Sequence, residues 1–314
     1  MLTYLLSRLV QFPITLWGLF TIIFIILRVM PGDPGVAYLG DAATPQAVAE
    51  MRASFGLDAP PYVQYVETLA GLFSGNLGRS FLSGRKVVEE ILAVLPDTVL
   101  LAVAALVISS SLGIIAGTVA ALRLNRLTDY LVMGFSILGV SVPVFWLGLI
   151  LLLVFSYRLD LFPVAGVSVP SGIWPQLHAL ILPAATLGLS FLALVARMAR
   201  SSMAEVMNSE FIRTVRAKGA KEGRVVFLHA LRNAMIPIIT VIGLNIGILF
   251  SGAVLTETVF ARPGIGKLLV NAVLSSDYPL VQGIFLLIGN IYIFANLIVD
   301  LCYAYLDPRI KYGN

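Results

Sequence analysis

Few side chains in this sequence can do chemistry, and most of those that can are cations in one stretch. Between Arg197 and Asn233 stand Arg197, Arg200, Arg213, Arg216, Lys218, Lys221, Arg224 and Arg232, against Glu205, Glu210 and Glu222. That stretch is net +5 while the whole chain is +4, so everything else sums to −1. The two histidines, His178 and His229, are set at opposite membrane sides by the hydrophobic span between them, so they cannot share a metal or one catalytic site. Cys302 is the only cysteine; it has no internal disulfide partner and no metal-ligand spacing, and it reads as a small buried apolar side chain. The sequence has no Gly-x-x-x-x-Gly-Lys-Ser/Thr loop to cradle a phosphate, so the chain is not expected to hydrolyse ATP, or to be an enzyme at all. What remains is a cationic surface. Its chemistry is either docking onto a partner with an acidic groove or a charged topology anchor that contacts nothing.

The internal pattern of the stretch favours docking. Phe211, Ile212 and Val215 recur at helical spacing with Arg213 and Arg216 between them, which predicts a short amphipathic helix over 210–218. Gly219 follows the last periodic residue, where a left-handed helix cap favours glycine. A second helix is expected from about Glu222, carrying Val225, Val226, Leu228 and Leu231. A helix–Gly–helix with an apolar ridge and basic flanks suits a groove on another protein.

The elements that must position this segment are membrane spans. Apolar residues make up 59% of the chain and charged residues 12%, half the share of an ordinary soluble domain. The fold class is therefore an all-α membrane protein. Six spans are expected at about Leu9–Leu27, Thr98–Leu122, Tyr130–Tyr157, Ala179–Ala196, Ala234–Thr256 and Leu280–Val299. The first is too long for a signal peptide, lacks a cleavage site, and reads as retained. Arg28 is expected to snorkel at its far edge. Ser141-Val142-Pro143 predicts a kink in the third span, Pro183 falls in the first turn of the fourth, and Pro237 lies near the start of the fifth. The basic stretch between spans four and five is then cytoplasmic by the positive-inside rule, which puts both termini inside. Asp300, Asp307, Arg309 and Lys311 mark the inner end of span six. The pI of 9.2 reflects these loops and not nucleic acid, since aromatic interleaving is sparse.

Residues 31–96 form the one sizeable soluble segment, on the outer side. PGDPG at 31–35 breaks the first span, Thr44-Pro45 starts a helix that Gly56 stops, and further helices are expected over Tyr62–Phe73 and Lys86–Leu95. The segment is either a structural cap or part of a landing surface for an external binding protein. Between the last two spans a short apolar helix, Leu268–Leu274, reads as re-entrant or interfacial. Ionisable residues are essentially missing from the central turns of the spans, and Glu257 and Asp300 stand at span ends. Proton- or sodium-driven carriers usually keep an acid at mid-depth. A pump with no internal energy source must import energy through a contact, and the basic stretch is the only candidate large enough. A lone secondary carrier or channel, and a scaffold with no transport, are the alternatives. Ser141, Asn245, Ser251 and Thr256 are polar groups that either line a solute path or bond between helices.

RTVRAKGA at 213–220 followed by HALRNA at 229–234 resembles the coupling loop of the dipeptide/oligopeptide/nickel ABC-importer permease family. PGDP after span one, LDAPPYVQY at 57–65, GNLGRSF at 75–81, LPDTVLLA at 95–102, SVPVFWLG at 141–148, ILPAATLGL at 181–189, VFARPGIGKL at 259–268, DYPLVQG at 277–283 and LDPRI at 306–310 are similar to that family's blocks, so the resemblance covers the whole chain. Arg213 stands where the general ABC pattern has an acid, Asn76 replaces a usual acid, and His178 is one residue away from the family's histidine. The resemblance implies a type I importer permease fold in the bacterial inner membrane: residues 1–29 as cytoplasmic start and first helix, 30–97 as a periplasmic helical segment, and 98–314 as the permease core with a coupling loop at 197–233. It implies ATPase coupling through Arg213, Arg216, Ala217, Lys218 and Gly219, braced by His229, Leu231, Arg232 and Asn233. The implied partners are a second homologous permease, two ABC ATPase subunits that bind the ATP and Mg, and a periplasmic or lipid-anchored solute-binding protein. The implied solutes are di- or oligopeptides, with nickel, glutathione and opines open.

Overall fold

The computed structural model describes residues 2–29, 32–40, 43–166 and 172–306, with side chains described between 11 and 297. No strand forms among the described residues; Arg79 and Lys86 make a single bridge pair. The chain divides into two units, one of residues 1–98 and 263–293 and the other of 99–262 and 294–314.

The first unit begins with α1, Leu2–Val29. Asp33 then caps α2, Pro34–Leu39, by accepting from the Gly35 N–H at 2.8 Å, with proline at the first helical position where a missing N–H costs nothing. The same logic builds α3, Pro45–Ser54: the Thr44 side chain accepts from the Ala47 N–H, and Gly56 beyond its end takes φ +68°. α4 covers Pro61–Phe73. Phe20, Phe24 and Leu286 are buried with Tyr65 and Leu69 against them, and the Tyr65 ring meets Phe24 edge-on at 5.2 Å. α12, Ile265–Leu274, is the short apolar helix expected from the sequence. Buried Asp277 caps α13, Tyr278–Leu306, through the Leu280 N–H and also accepts from Ser80 Oγ at 2.5 Å.

The expected helix Lys86–Leu95 and the second expected span are one element, α5, running Val87–Leu122 through Pro96. Proline does not break it, because long membrane helices tolerate the lost hydrogen bond.

In the second unit, α8, Ile173–Met207, is the spine; its apolar stretch is 61% buried against 28% for α5. Small residues set its approach to α5. A Cβ on Gly117 would lie 2.3 Å from the Ala196 carbonyl oxygen and 2.6 Å from Ala199 Cβ, and Gly113 and Gly188 are nearly as close to their neighbours. The order of these contacts, 105 with 188, 113 with 195 and 117 with 199, makes α5 and α8 parallel.

The third expected span is broken further than a kink. α6, Leu127–Ser141, and α7, Val144–Leu151, are bent by 105°. Pro143 forces Val142 into extended backbone, ψ 124°, and ends the helix there. A π-helical turn, Leu152–Arg158, follows α7. This pair runs antiparallel to α8: Asp129 meets Arg200, Gly139 meets Ala193, and Gly148 meets Thr186. From Arg200 back to Thr186 is about 21 Å of helix.

After α8 come α9, Glu210–Ala217, and α10, Glu222–Arg224. A π-helical turn, Val225–Ala230, leads on into α11, Leu231–Val259. Among the described residues five helices are long and apolar enough to be candidate membrane spans, or six if the bent pair counts as one. Pro183 and Pro237 lie deeper in their helices than expected, because α8 and the Glu222–Val259 limb start earlier than the apolar windows. The 307–311 tail and the side chains of Asp300 and Cys302 lie outside the described residues.

Candidate functional site

The basic segment folds as an elbow. α9 is too short to stand alone in water, so its ends and one buried side chain must hold it. Ser209 precedes it, and Glu210 in its first turn suits the positive end of the helix dipole. At the other end Gly219 adopts φ +77°. Its N–H bonds to the Arg216 carbonyl at 2.9 Å and the Ala220 N–H reaches back to Val215, the paired bonds of a Schellman cap. The glycine expected to close this helix does so. A Cβ there would meet nothing within 4 Å, so glycine is required by the backbone angle alone.

Ile212 is the anchor. It is fully buried among Met203, Val225, Val226, Ala230 and Ala234, so α9 is fastened to the ends of both α8 and the α10–α11 limb. This corrects the apolar ridge expected from periodicity. Ile212, Val225 and Val226 face the chain's own bundle and Val215 is half-buried. The apolar groups that remain outward are Phe211 (48% exposed), Phe227 (69%) and Leu228 (49%).

Around them stand the cations. Arg213, Arg216, Lys218, Lys221 and Arg224 are exposed, against Glu210 and Glu222. Arg216 reaches across the glycine turn to Glu222 at 2.7 Å, bracing α9 on α10, and Arg213 bonds Glu210 at 2.7 Å. Exposed pairs of this kind contribute about 0–1 kcal/mol, so they shape the surface more than they stabilise it. Ala217 is exposed on the outer side of α9, next to the cap. His229 is half-buried with its ring 6.1 Å from Phe211, which brings the two halves of the segment together. Asn233 donates to the His229 carbonyl at 2.7 Å, Leu231 packs on the Ile212 cluster, and Arg232 is exposed.

Arg200 does not belong to this exposed surface. Asp129, 1% exposed, holds it through Oδ1–Nε at 2.5 Å and Oδ2–Nη2 at 2.7 Å, and also accepts from the Asn125 N–H. The pair ties the 123–129 turn to the end of α8. Sequence reasoning missed Asp129, although an acid just after a basic turn and next to an apolar run was a usable signal. It also missed Gly113-x-x-x-Gly117, the small-xxx-small pattern of close helix approach.

The four polar groups considered for a path do not form one surface. Asn245 and Thr256 lie three turns apart on α11 and both are buried, whereas Ser251 between them is exposed. Thr256 bonds back to the Gly252 carbonyl and Ser141 to that of Ile137, so both are satisfied on their own helices. Asn245 keeps a buried Nδ2 with no acceptor among the described residues. His178 stacks on Phe162 at 5.0 Å.

Comparison with known proteins agrees with this architecture. Residues 113–312 match the family described as the binding-protein-dependent transport system inner membrane component, and residues 1–102 match the N-terminal part of that membrane component. The chain is 40% identical to a dipeptide transport system permease protein of Alkalihalophilus pseudofirmus over 99% of its own length and all of the relative's. It is 41% identical to a di/tripeptide transport system permease protein of Pseudomonas aeruginosa, covering 99% of each chain. It is 37% identical to a dipeptide transport system permease protein of Escherichia coli, again over 99% of each. An elbow fastened to long apolar helices, in a chain matched end to end by such proteins, places it in one group: it belongs to the inner membrane components of binding-protein-dependent transport systems, transport subunits and not enzymes.

Proposed function

We propose that this chain is one permease subunit of a peptide importer worked from the cytosol by separate ATPase subunits. The observation that carries the reading is the α9–Gly219–α10 elbow, exposed and basic outside and joined by Ile212 to the ends of α8 and α11. ATP and Mg bind in the partner ATPases. Their closure moves the elbow, and the elbow moves the spans between inward-open and outward-open states. Arg213, Arg216, Ala217, Lys218 and Gly219 form the contact, and His229, Leu231, Arg232 and Asn233 hold its second limb in place.

The topology in this proposal has six spans, both termini inside and residues 30–97 outside. Its support is the opposite order of the bent pair's contacts along α8, and the ion pair that joins the 123–129 turn to Arg200, near the end of α8 that carries the elbow. Arg123 and Arg126 then share a side with the basic segment, as the positive-inside rule requires. A second homologous permease completes the route for solute, and a solute-binding protein delivers it outside. Peptides are favoured as solute because the three relatives above are named for dipeptides or for di- and tripeptides.

The test is uptake of a labelled dipeptide into proteoliposomes holding the complete complex. Uptake that needs ATP, both ATPases and the binding protein supports the reading. Ion-driven uptake by this chain alone would refute it and restore a secondary carrier. For topology, a cysteine at Lys218 in a Cys302→Ser background should resist impermeant reagents added outside, and one at Ser54 should react.

A further inference from the structure

The first unit contains a cavity of about 670 Å³ beside the end of α1, of the size that takes small ligands. Two buried donors in its lining have no acceptor among the described residues. Arg28 is held firmly: Nε and Nη2 both donate to Gln64 Oε1, at 3.2 and 2.7 Å. Gln64 is itself oriented by giving its amide protons to the Leu57 and Ala59 carbonyls. The guanidinium lies over Phe24 at 4.2 Å and over Tyr278 at 5.2 Å. Its Nη1 is buried with no partner, and no carboxylate pairs with Arg28 among the described residues. Gln282 follows Tyr278 by one helical turn, is 6% exposed, and keeps a buried Nε2 with no acceptor among the described residues. Leaving such groups unsatisfied is costly unless something else satisfies them. Phe55 and Phe81, also in the lining, stack at 4.1 Å, and Glu67 lines the same cavity.

Cation, amide donor, aromatic wall and one acid match the parts of a zwitterionic peptide. We propose that this cavity binds a short peptide, with its terminal carboxylate at Arg28 and Gln282, an apolar side chain against Phe55 and Phe81, and its ammonium towards Glu67. The site rests on the peptide-import reading and adds a place on this subunit where the solute is held. Snorkelling, the sequence expectation for Arg28, would leave the guanidinium in solvent; its burial beside Tyr278 is what turns it towards a ligand.

The assembled transporter in lipid nanodiscs, without its solute-binding protein, is titrated with alanyl-phenylalanine and with alanyl-phenylalaninamide. The free acid should bind at least about tenfold tighter than the amide, the scale of a hydrogen-bonded charge. Arg28→Gln and Gln282→Leu should each remove that preference. Ser54→Trp, an exposed lining position that leaves both donors in place, should block binding even if the other variants fail to assemble. Equal binding of acid and amide, no binding, or a preference that survives the variants overturns the proposal. So does loss of peptide binding when phosphatidylglycerol is added, which would assign the donors to a lipid phosphate. Dipeptide uptake by the complete complex separates the two readings: uptake without cavity binding defeats this inference alone, and cavity binding without uptake defeats only the import reading.

Discussion

Gly219 offers a graded test of the elbow. A side chain there collides with nothing within 4 Å, so substitution changes only the cost of holding φ at +77°. For alanine that cost is about 1–2 kcal/mol; asparagine, which visits this region readily, should cost less, and β-branched valine more. A penalty of about 1–2 kcal/mol lowers the population of the capped elbow roughly fivefold to thirtyfold relative to uncapped forms. The Gly219–Arg216 and Ala220–Val215 bonds would be lost, and α9 has little else to define its end. ATPase stimulation by loaded binding protein, measured on the reconstituted complex, should therefore fall in the order glycine, asparagine, alanine, valine. Membrane insertion and the thermal midpoint of the spans should not change, because the turn is exposed. Wild-type stimulation in Gly219→Val would refute the coupling role. A fall that follows side-chain volume rather than left-handed preference, with asparagine worse than alanine, would refute the backbone argument.

Three further outcomes follow from the packing. Gly117→Leu should lower the thermal midpoint sharply and reduce assembled yield, since the Ala196 carbonyl leaves no room for even a Cβ; Gly134→Ala, in open space on α6, should be neutral or stabilising by about 0.5–1 kcal/mol. Asp129→Asn should destabilise by at most about 3–5 kcal/mol, and by less because Arg200 is partly exposed, while the exchange Asp129→Arg with Arg200→Asp should recover part of the loss in a double-mutant cycle of thermal unfolding. Asp277→Ala should cost about 0.5–2 kcal/mol for the cap alone, and amide exchange over residues 80–84 should accelerate because Ser80 and Leu82 lose their acceptor.

How much of this was legible in the sequence depended on how local the cause was. The Thr44 cap, the Gly56 stop and the Gly219 turn each rest on a residue's own backbone preference, and each was readable from the chain. Ile212 was legible as apolar but not as inward-facing, because periodicity gives a face and not the body it meets. Pro96 and Pro143 look alike in sequence; one lies within an unbroken helix and the other ends one. The Asp129–Arg200 pair joins residues 71 apart and could not be paired from spacing. The bilayer-sized apolar windows were plain, but they understated the helices, because polar residues continue α8 and the α10–α11 limb beyond those windows.

That overrun has a consequence for assembly. From Ala196, the end of the fourth span expected from the sequence, to Met207, where α8 stops, the helix runs on for eleven residues, or about 16 Å of rod. Headgroups occupy only about 5–8 Å on each side of a bilayer. In the topology proposed above, the elbow is thus presented clear of the lipid, where a water-soluble ATPase subunit can grip it without any membrane-adapted surface of its own.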